Sequence, residues 1–154
     1  MLCAKSDMLK ISQAELHDSE NIKAFYKQCG YGGDLSEEAL TFIAQFEERI
    51  IGAVRLCPNT EFFVLRGMQV LAPFQHQGFG TQLLQASIAQ LADLVCYCIP
   101  WQHLKLFYQQ VGFQEVSSIE APDLLRERFN NYISRGMKVI LMRRLPTVIM
   151  LGRS

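Results

Sequence analysis

The chain has 154 residues, 49% hydrophobic and 19% charged, which is the balance of one packed globular domain and excludes a disordered one. Fifteen basic side chains offset fifteen acidic ones, so net charge advertises neither nucleic acid nor an anionic membrane as a partner. No apolar run reaches the roughly 18 residues needed to cross a bilayer, and "MLCAKSDMLKISQAEL" has no apolar core of signal-peptide length.

In chain order, "MLKISQA" (8–14) predicts a first strand. Ile22, Phe25 and Tyr26 then fall at helical spacing, with Asp18 or Ser19 as the N-cap and Gly30 to Gly33 as the stop. "SEEAL" reads as the start of a short capped helix. The period changes at "TFIAQFEERIIGAVRLCP", which predicts strands over 41–47 and 50–57 joined at Glu47-Glu48-Arg49. After the turn "PNT" (58–60), "EFFVLRGMQVLAP" predicts a long third strand whose Gly67 marks a bulge or the close approach of another backbone. These three strands form an antiparallel meander.

Leu84, Ile88 and Leu91 predict a helix, "LVCYCI" (94–99) a buried strand, and "QHLKLFYQQVGF" a second helix closed at Gly112. "MKVILMRRL" (137–145) is the last clear strand, and the alternation gives a mixed α/β domain with its core over about 8–145. The five cysteines (Cys3, Cys29, Cys57, Cys96 and Cys98) include no C-x-x-C pair, which argues against a disulfide framework and a zinc site. Cys96 and Cys98 read as small core residues on one face of a strand. The expectation is a reduced, cytoplasmic protein without metal.

"PFQHQGFGTQLL" (73–84) ends the long strand and opens a helix. A P-loop needs Lys and Ser or Thr after its last glycine, whereas Thr81 and Gln82 follow Gly80; the dinucleotide fingerprint needs a glycine where Leu83 stands. What remains is Gln-x-x-Gly-x-Gly, from Gln75 through Gly78 to Gly80. The first N–H groups of a helix lack intrahelical partners and lie at the positive end of its dipole. Glycines let the chain curl so that these donors converge on one anion. Each such bond to a charged oxygen is worth about 1.5–3 kcal/mol, so a few of them could hold a diphosphate without a lysine.

Together with "LFYQQVGF" (106–113) and the meander ahead of it, this loop resembles the core of the GNAT acetyltransferase superfamily, most sharply over 68–113. The resemblance implies a central, mostly antiparallel sheet flanked by helices, the acyl-CoA N-acyltransferase fold. It implies transfer of the acetyl group of acetyl-CoA to a primary amine by direct attack. The pantetheine arm would pair with Met68, Gln69 and Val70. The diphosphate would sit over Gln75, His76, Gln77, Gly78, Phe79, Gly80 and Thr81, with His76 and Gln77 contributing main-chain N–H groups. Tyr108 would be the acid that protonates the leaving thiolate, and similar proteins often pair as homodimers.

Two positions depart from the family pattern. Trp101 stands where relatives often have Asn, which suggests an apolar acceptor pocket, and Cys96 stands where many carry a Glu general base. No carboxylate lies between Asp93 and Glu115, leaving His103 and Glu61 as candidate relays and the base unassigned. Arg126, Arg128 and Arg135 lie on a predicted solvated surface that lines the acceptor site or a dimer contact in similar proteins. The competing reading is a non-catalytic acyl-CoA-binding regulator of the same fold.

Overall fold

The computed structural model describes residues 8–36, 38–91 and 93–146. In chain order the elements are β1 (Leu9–Gln13), α1 (Ser19–Gln28), β2 (Leu40–Phe46), β3 (Arg49–Pro58), β4 (Phe62–Val70), α2 (Phe79–Ile88), β5 (Val95–Cys98), α3 (Lys105–Gln109), β6 (Gln114–Glu115), α4 (Asp123–Ser134) and β7 (Met142–Arg144). The strands hydrogen-bond in the order β1-β2-β3-β4-β5-β7-β6, with helices flanking the sheet. The chain forms two compact units, Met1–Pro58 with Leu65–Gln90, and Asn59–Val64 with Leu91–Ser154.

The first unit carries the expected β2–β3 hairpin, with β4 beside β3 and with β1, which the expected meander did not include, added at the other edge. β1 pairs antiparallel with β2 from Leu9↔Phe46 to Gln13↔Phe42, and β2 pairs antiparallel with β3 through a register shift at Ala44/Gln45. Glu47 and Glu48, at φ 51° and 67°, make the two-residue hairpin between β2 and β3. That mirror-image turn matches the twist of the strands it joins. β3 is buried along nearly its whole length, as a central strand covered on both faces must be. α2 packs on β1, β2 and β3 and α1 packs on β3, so Leu83, Leu84, Phe25 and Tyr26 join Ile43, Ile51 and Val54 in the core. Each large apolar side chain there contributes about 1.5–3 kcal/mol.

Asp18 stands at the N-cap position of α1, one of the two expected there, but its carboxylate makes no cap bond; it accepts from the Glu15 N–H (2.8 Å) and closes the preceding turn. One expectation fails in this unit. No helix begins at "SEEAL" among its described residues; Glu37 lies outside them. Ser36 donates both its hydroxyl (2.6 Å) and its N–H (2.8 Å) to Asp34 Oδ1, and such local side-chain bonds compete with helix formation.

In the second unit the start of β4 runs parallel to β5, from Phe62↔Val95 to Val64↔Tyr97. β7 lies antiparallel to both β5 and β6. The predicted strand over 137–145 yields only Met142–Arg144 as β7. Upstream of it Ile140 donates to Pro100 O (3.0 Å), Lys138 O accepts from Gln102 (2.8 Å), and Val139 bridges Trp101. That segment therefore pairs with the irregular chain after β5 rather than with a strand. Cys96, Cys98, Tyr108, Phe113, Leu125 and Met142 are buried here. Gly112, at φ 99°, turns the chain out of α3, and Arg144 Nε donates to Val111 O beside it (2.7 Å).

Candidate functional site

The glycine loop of the first unit is held from below by aromatic rings. Phe74 packs between Phe46 (5.6 Å) and Phe79 (6.4 Å), and Phe79 is buried. Its side chain is thus an anchor of α2, leaving only its main chain for a ligand. His76 has φ 63° and Gly78, at the N-cap, has φ 86° with no side-chain cap on the helix. The first helical hydrogen bond is donated by Gln82 to Gly78 O (3.1 Å). The N–H groups of Phe79 and Gly80 precede it, at the positive end of the helix.

Both glutamines of the loop fold back on the chain: Gln75 Nε2 donates to Val70 O (2.8 Å) and Gln77 Nε2 to Pro73 O (3.0 Å). They shape the cradle rather than reach out of it, and the Val70 carbonyl keeps one lone pair for a ligand. From Gly67 through Leu104 the sequence contains no Lys or Arg, so what this stretch itself offers an anion is main-chain donors. The residues fit that role: an uncapped helix start, a left-handed glycine with no Cβ, and an exposed Gln75–Gly78 rim.

Met68, Gln69 and Val70 lie in the last stretch of β4, half-buried, beyond the point at which the β4–β5 ladder ends at Val64. Just before them Gly67 has φ 65°, and the Tyr26 hydroxyl donates to its carbonyl (2.7 Å). The close approach predicted at Gly67 is made by a side chain, not by a second backbone. Tyr26 read as an ordinary core residue in the sequence, since its helical spacing carries no trace of a partner 41 residues away.

Tyr108 belongs to the second unit and is 4% exposed. Its ring meets Phe107 (5.0 Å) and Phe113 (5.8 Å) edge-on. Burial, and secondarily the thiols of Cys98 and Cys96, push its pKa up. The phenol is therefore a proton donor throughout the physiological range. Cys98 is pushed up as well, by burial first and by Cys96 second, so its thiol is neutral and poorly nucleophilic. Cys96, on β5, is buried and makes an Sγ contact with Tyr97 O (3.8 Å).

The remaining candidates separate. Trp101 is 46% exposed. His103 and Glu61 are exposed. Arg126 is only partly exposed: its guanidinium donates to the carbonyls of Ser118 (3.0 Å), Ile119 (3.3 Å) and Ala121 (3.0 Å), tying α4 to the turn before it. Arg128 Nη1 is buried without a hydrogen-bond partner among the described residues, whereas Arg135 is exposed as expected. Among the described residues no cluster of His, Cys, Asp or Glu could hold a metal ion, and no helix is long and apolar enough to cross a membrane.

A mixed sheet whose long strand leads through a glycine turn into a helix start defines an acyl-CoA N-acyltransferase fold. The family model for the acetyltransferase (GNAT) domain matches residues 37–115, and the chain belongs to that family. Solved structures share the fold at low identity. The N-acetylglutamate synthase of Neisseria gonorrhoeae, complexed with coenzyme A and N-acetyl-glutamate, is 19% identical with a TM-score of 0.66 over 90% of this chain. This chain spans only 35% of that one. The ribosomal-protein-S18-alanine N-acetyltransferase of Escherichia coli is 15% identical with a TM-score of 0.64, covering 90% of this chain and 94% of its own. ElaA of Escherichia coli is 16% identical with a TM-score of 0.66, covering 89% and 99%. No curated protein matches the sequence.

Proposed function

We propose that this protein is an N-acetyltransferase that moves the acetyl group of acetyl-CoA to a primary amine by direct attack. The observation that carries this reading is the cradle at 75–81, where the left-handed Gly78 opens a helix with no side-chain cap. The coenzyme A in the Neisseria gonorrhoeae structure supports the choice of acetyl donor. Met68 to Val70 would carry the pantetheine arm by strand addition, and the N–H groups of the loop would hold the diphosphate.

Tyr108 is assigned the proton. As the amine displaces CoA, negative charge builds on a sulfur whose thiol pKa is ordinarily near 8.5. A phenol that stays protonated can hydrogen-bond that sulfur and deliver its proton as the C–S bond breaks. The base is harder to supply, because β5 presents Cys96 and no carboxylate. At pH 7, freeing a lysine amine of pKa about 10.4 costs about 4.6 kcal/mol, against about 1 kcal/mol for a terminal amine near 7.8. The site therefore suits an acceptor of low pKa, or one that loses its proton through water.

The same carboxylate-free β5 favours one alternative, a protein that binds acyl-CoA without turning it over. A thiol-release assay with acetyl-CoA across peptide, polyamine and small-molecule amines tests both. Acceptor-dependent release supports the enzyme. Coenzyme A binding with no release from any amine class supports the binder, and CoA that leaves the amide signals of 75–81 unmoved overturns both.

A further inference from the structure

We propose that Tyr26 is a positioning residue for acetyl transfer: by holding the Gly67 carbonyl, its hydroxyl aims the Met68 N–H at the carbonyl oxygen of the bound thioester. This rests on the proposed function, in particular on a pantetheine arm running along Met68 to Val70. Tyr26 is 1% exposed, and its ring is fixed between Phe25 (5.4 Å) and Tyr31 (4.9 Å). From α1 its hydroxyl reaches the Gly67 carbonyl at 2.7 Å. Burial, chiefly, pushes its pKa up, so it remains a donor.

Gly67 and Tyr26 are matched to each other. Gly67 has φ 65°, and a Cβ added there would meet Tyr26 Oη at 2.9 Å and its ring at 3.3 Å. A strand gains nothing from a left-handed residue, which interrupts its pleat and weakens it. Here the interruption falls three residues after the last β4–β5 pair, at Val64, and immediately before the segment assigned to the pantetheine arm. Glycine adopts this conformation without strain, so what the buried hydroxyl fixes is the orientation of the peptide that follows.

The peptide bond supplies the link. No cis bond occurs among the described residues, so the C=O of Gly67 and the N–H of Met68 point in opposite directions across one rigid plane. With the carbonyl pinned towards Tyr26, the Met68 N–H is directed away from it and cannot rotate to follow a ligand. A donor fixed in advance stabilises an oxyanion better than one that must reorganise as charge develops. Tyr26 would touch neither substrate nor CoA; it would act through the peptide.

Amide spectra of the ¹⁵N-labelled protein, titrated separately with CoA and with acetyl-CoA, isolate the acetyl group. In the wild type, acetyl-CoA should shift the Met68 amide beyond the shift that CoA produces. Tyr26→Phe should lose that increment while CoA affinity stays within about twofold and the 75–81 amides still move. With an acceptor in hand, its kcat should fall roughly ten- to a hundredfold with little change in KM for acetyl-CoA. An increment that survives in Tyr26→Phe, or that is missing from wild type that binds CoA, overturns the assignment. Should Tyr26→Phe not fold, Gly67→Ala keeps the hydroxyl but displaces it and should lose the same increment; an increment that survives there overturns the assignment. CoA that moves no loop amide overturns the cofactor reading, and this assignment with it.

Discussion

The proposed role of Tyr108 rests on its hydroxyl alone, because the ring that carries it is held by Phe107 and Phe113. Replacing it by Phe should leave the ring packing intact and remove only the acid. We expect Tyr108→Phe to lower kcat by about a hundredfold, the lower end of general-acid contributions. CoA affinity, read by calorimetry, should be unchanged within about twofold. Equal loss of binding and turnover would show that Tyr108 is only a core residue. Gly78 carries the complementary test. A Cβ there meets nothing within 4 Å, so space is not the obstacle, but φ 86° is. Gly78→Ala should cost about 1–2 kcal/mol in backbone strain. Relaxing that strain would turn the loop donors aside, so CoA affinity should drop measurably more than stability alone explains.

At the scale of elements, the β2–β3 hairpin exposes a weakness that sequence patterning hides. Glu47 and Glu48 both occupy left-handed backbone, where residues with a Cβ are disfavoured and Asn-Gly is the usual choice. Introducing Glu47→Asn together with Glu48→Gly should stabilise the protein by about 1 kcal/mol, seen as a melting temperature about 2–4 °C higher. A melting temperature that falls would mean the two carboxylates make contacts worth more than the strain. The meander itself was legible because strand alternation and turn residues are local signals, and the glycine loop because its spacing is rigid. The failures have two causes. Ser36 turned back on Asp34 through a local bond that competes with a helix start, and Val139 was taken by a distant partner, Trp101, instead of extending β7. β6, at two residues, is too short for any periodicity to announce. The site was legible in part for the same reason: the loop lies in one stretch of sequence, whereas Tyr26 and Gly67 are joined only by folding.

Across the whole molecule, buried protons should set the alkaline limit of stability. Tyr26 in the first unit and Tyr108 and Cys98 in the second all have pKa values raised by burial. Cys29 shifts in the same direction. In the unfolded chain thiols lose their protons near pH 8.5–9 and phenols near pH 10. Above those values the unfolded state binds fewer protons than the folded one, so stability falls as pH rises, by about 1.4 kcal/mol per pH unit for each fully engaged group. Below about pH 8 the contribution is complete and flat. Urea unfolding at pH 8, 9.5 and 11 should therefore show midpoints that hold and then drop steeply. General repulsion offers a rival account, since the chain is neutral at pH 7 and turns negative as its lysines discharge. Tyr108→Phe separates the two, because it leaves the charge of the folded protein unchanged while removing one proton that only the unfolded chain releases. Its stability should decline less steeply than that of the wild type, by about 1 kcal/mol between pH 10 and 11. Parallel slopes would mean that the phenol proton is not held by the fold, and would remove the physical basis for Tyr108 as a donor that stays loaded.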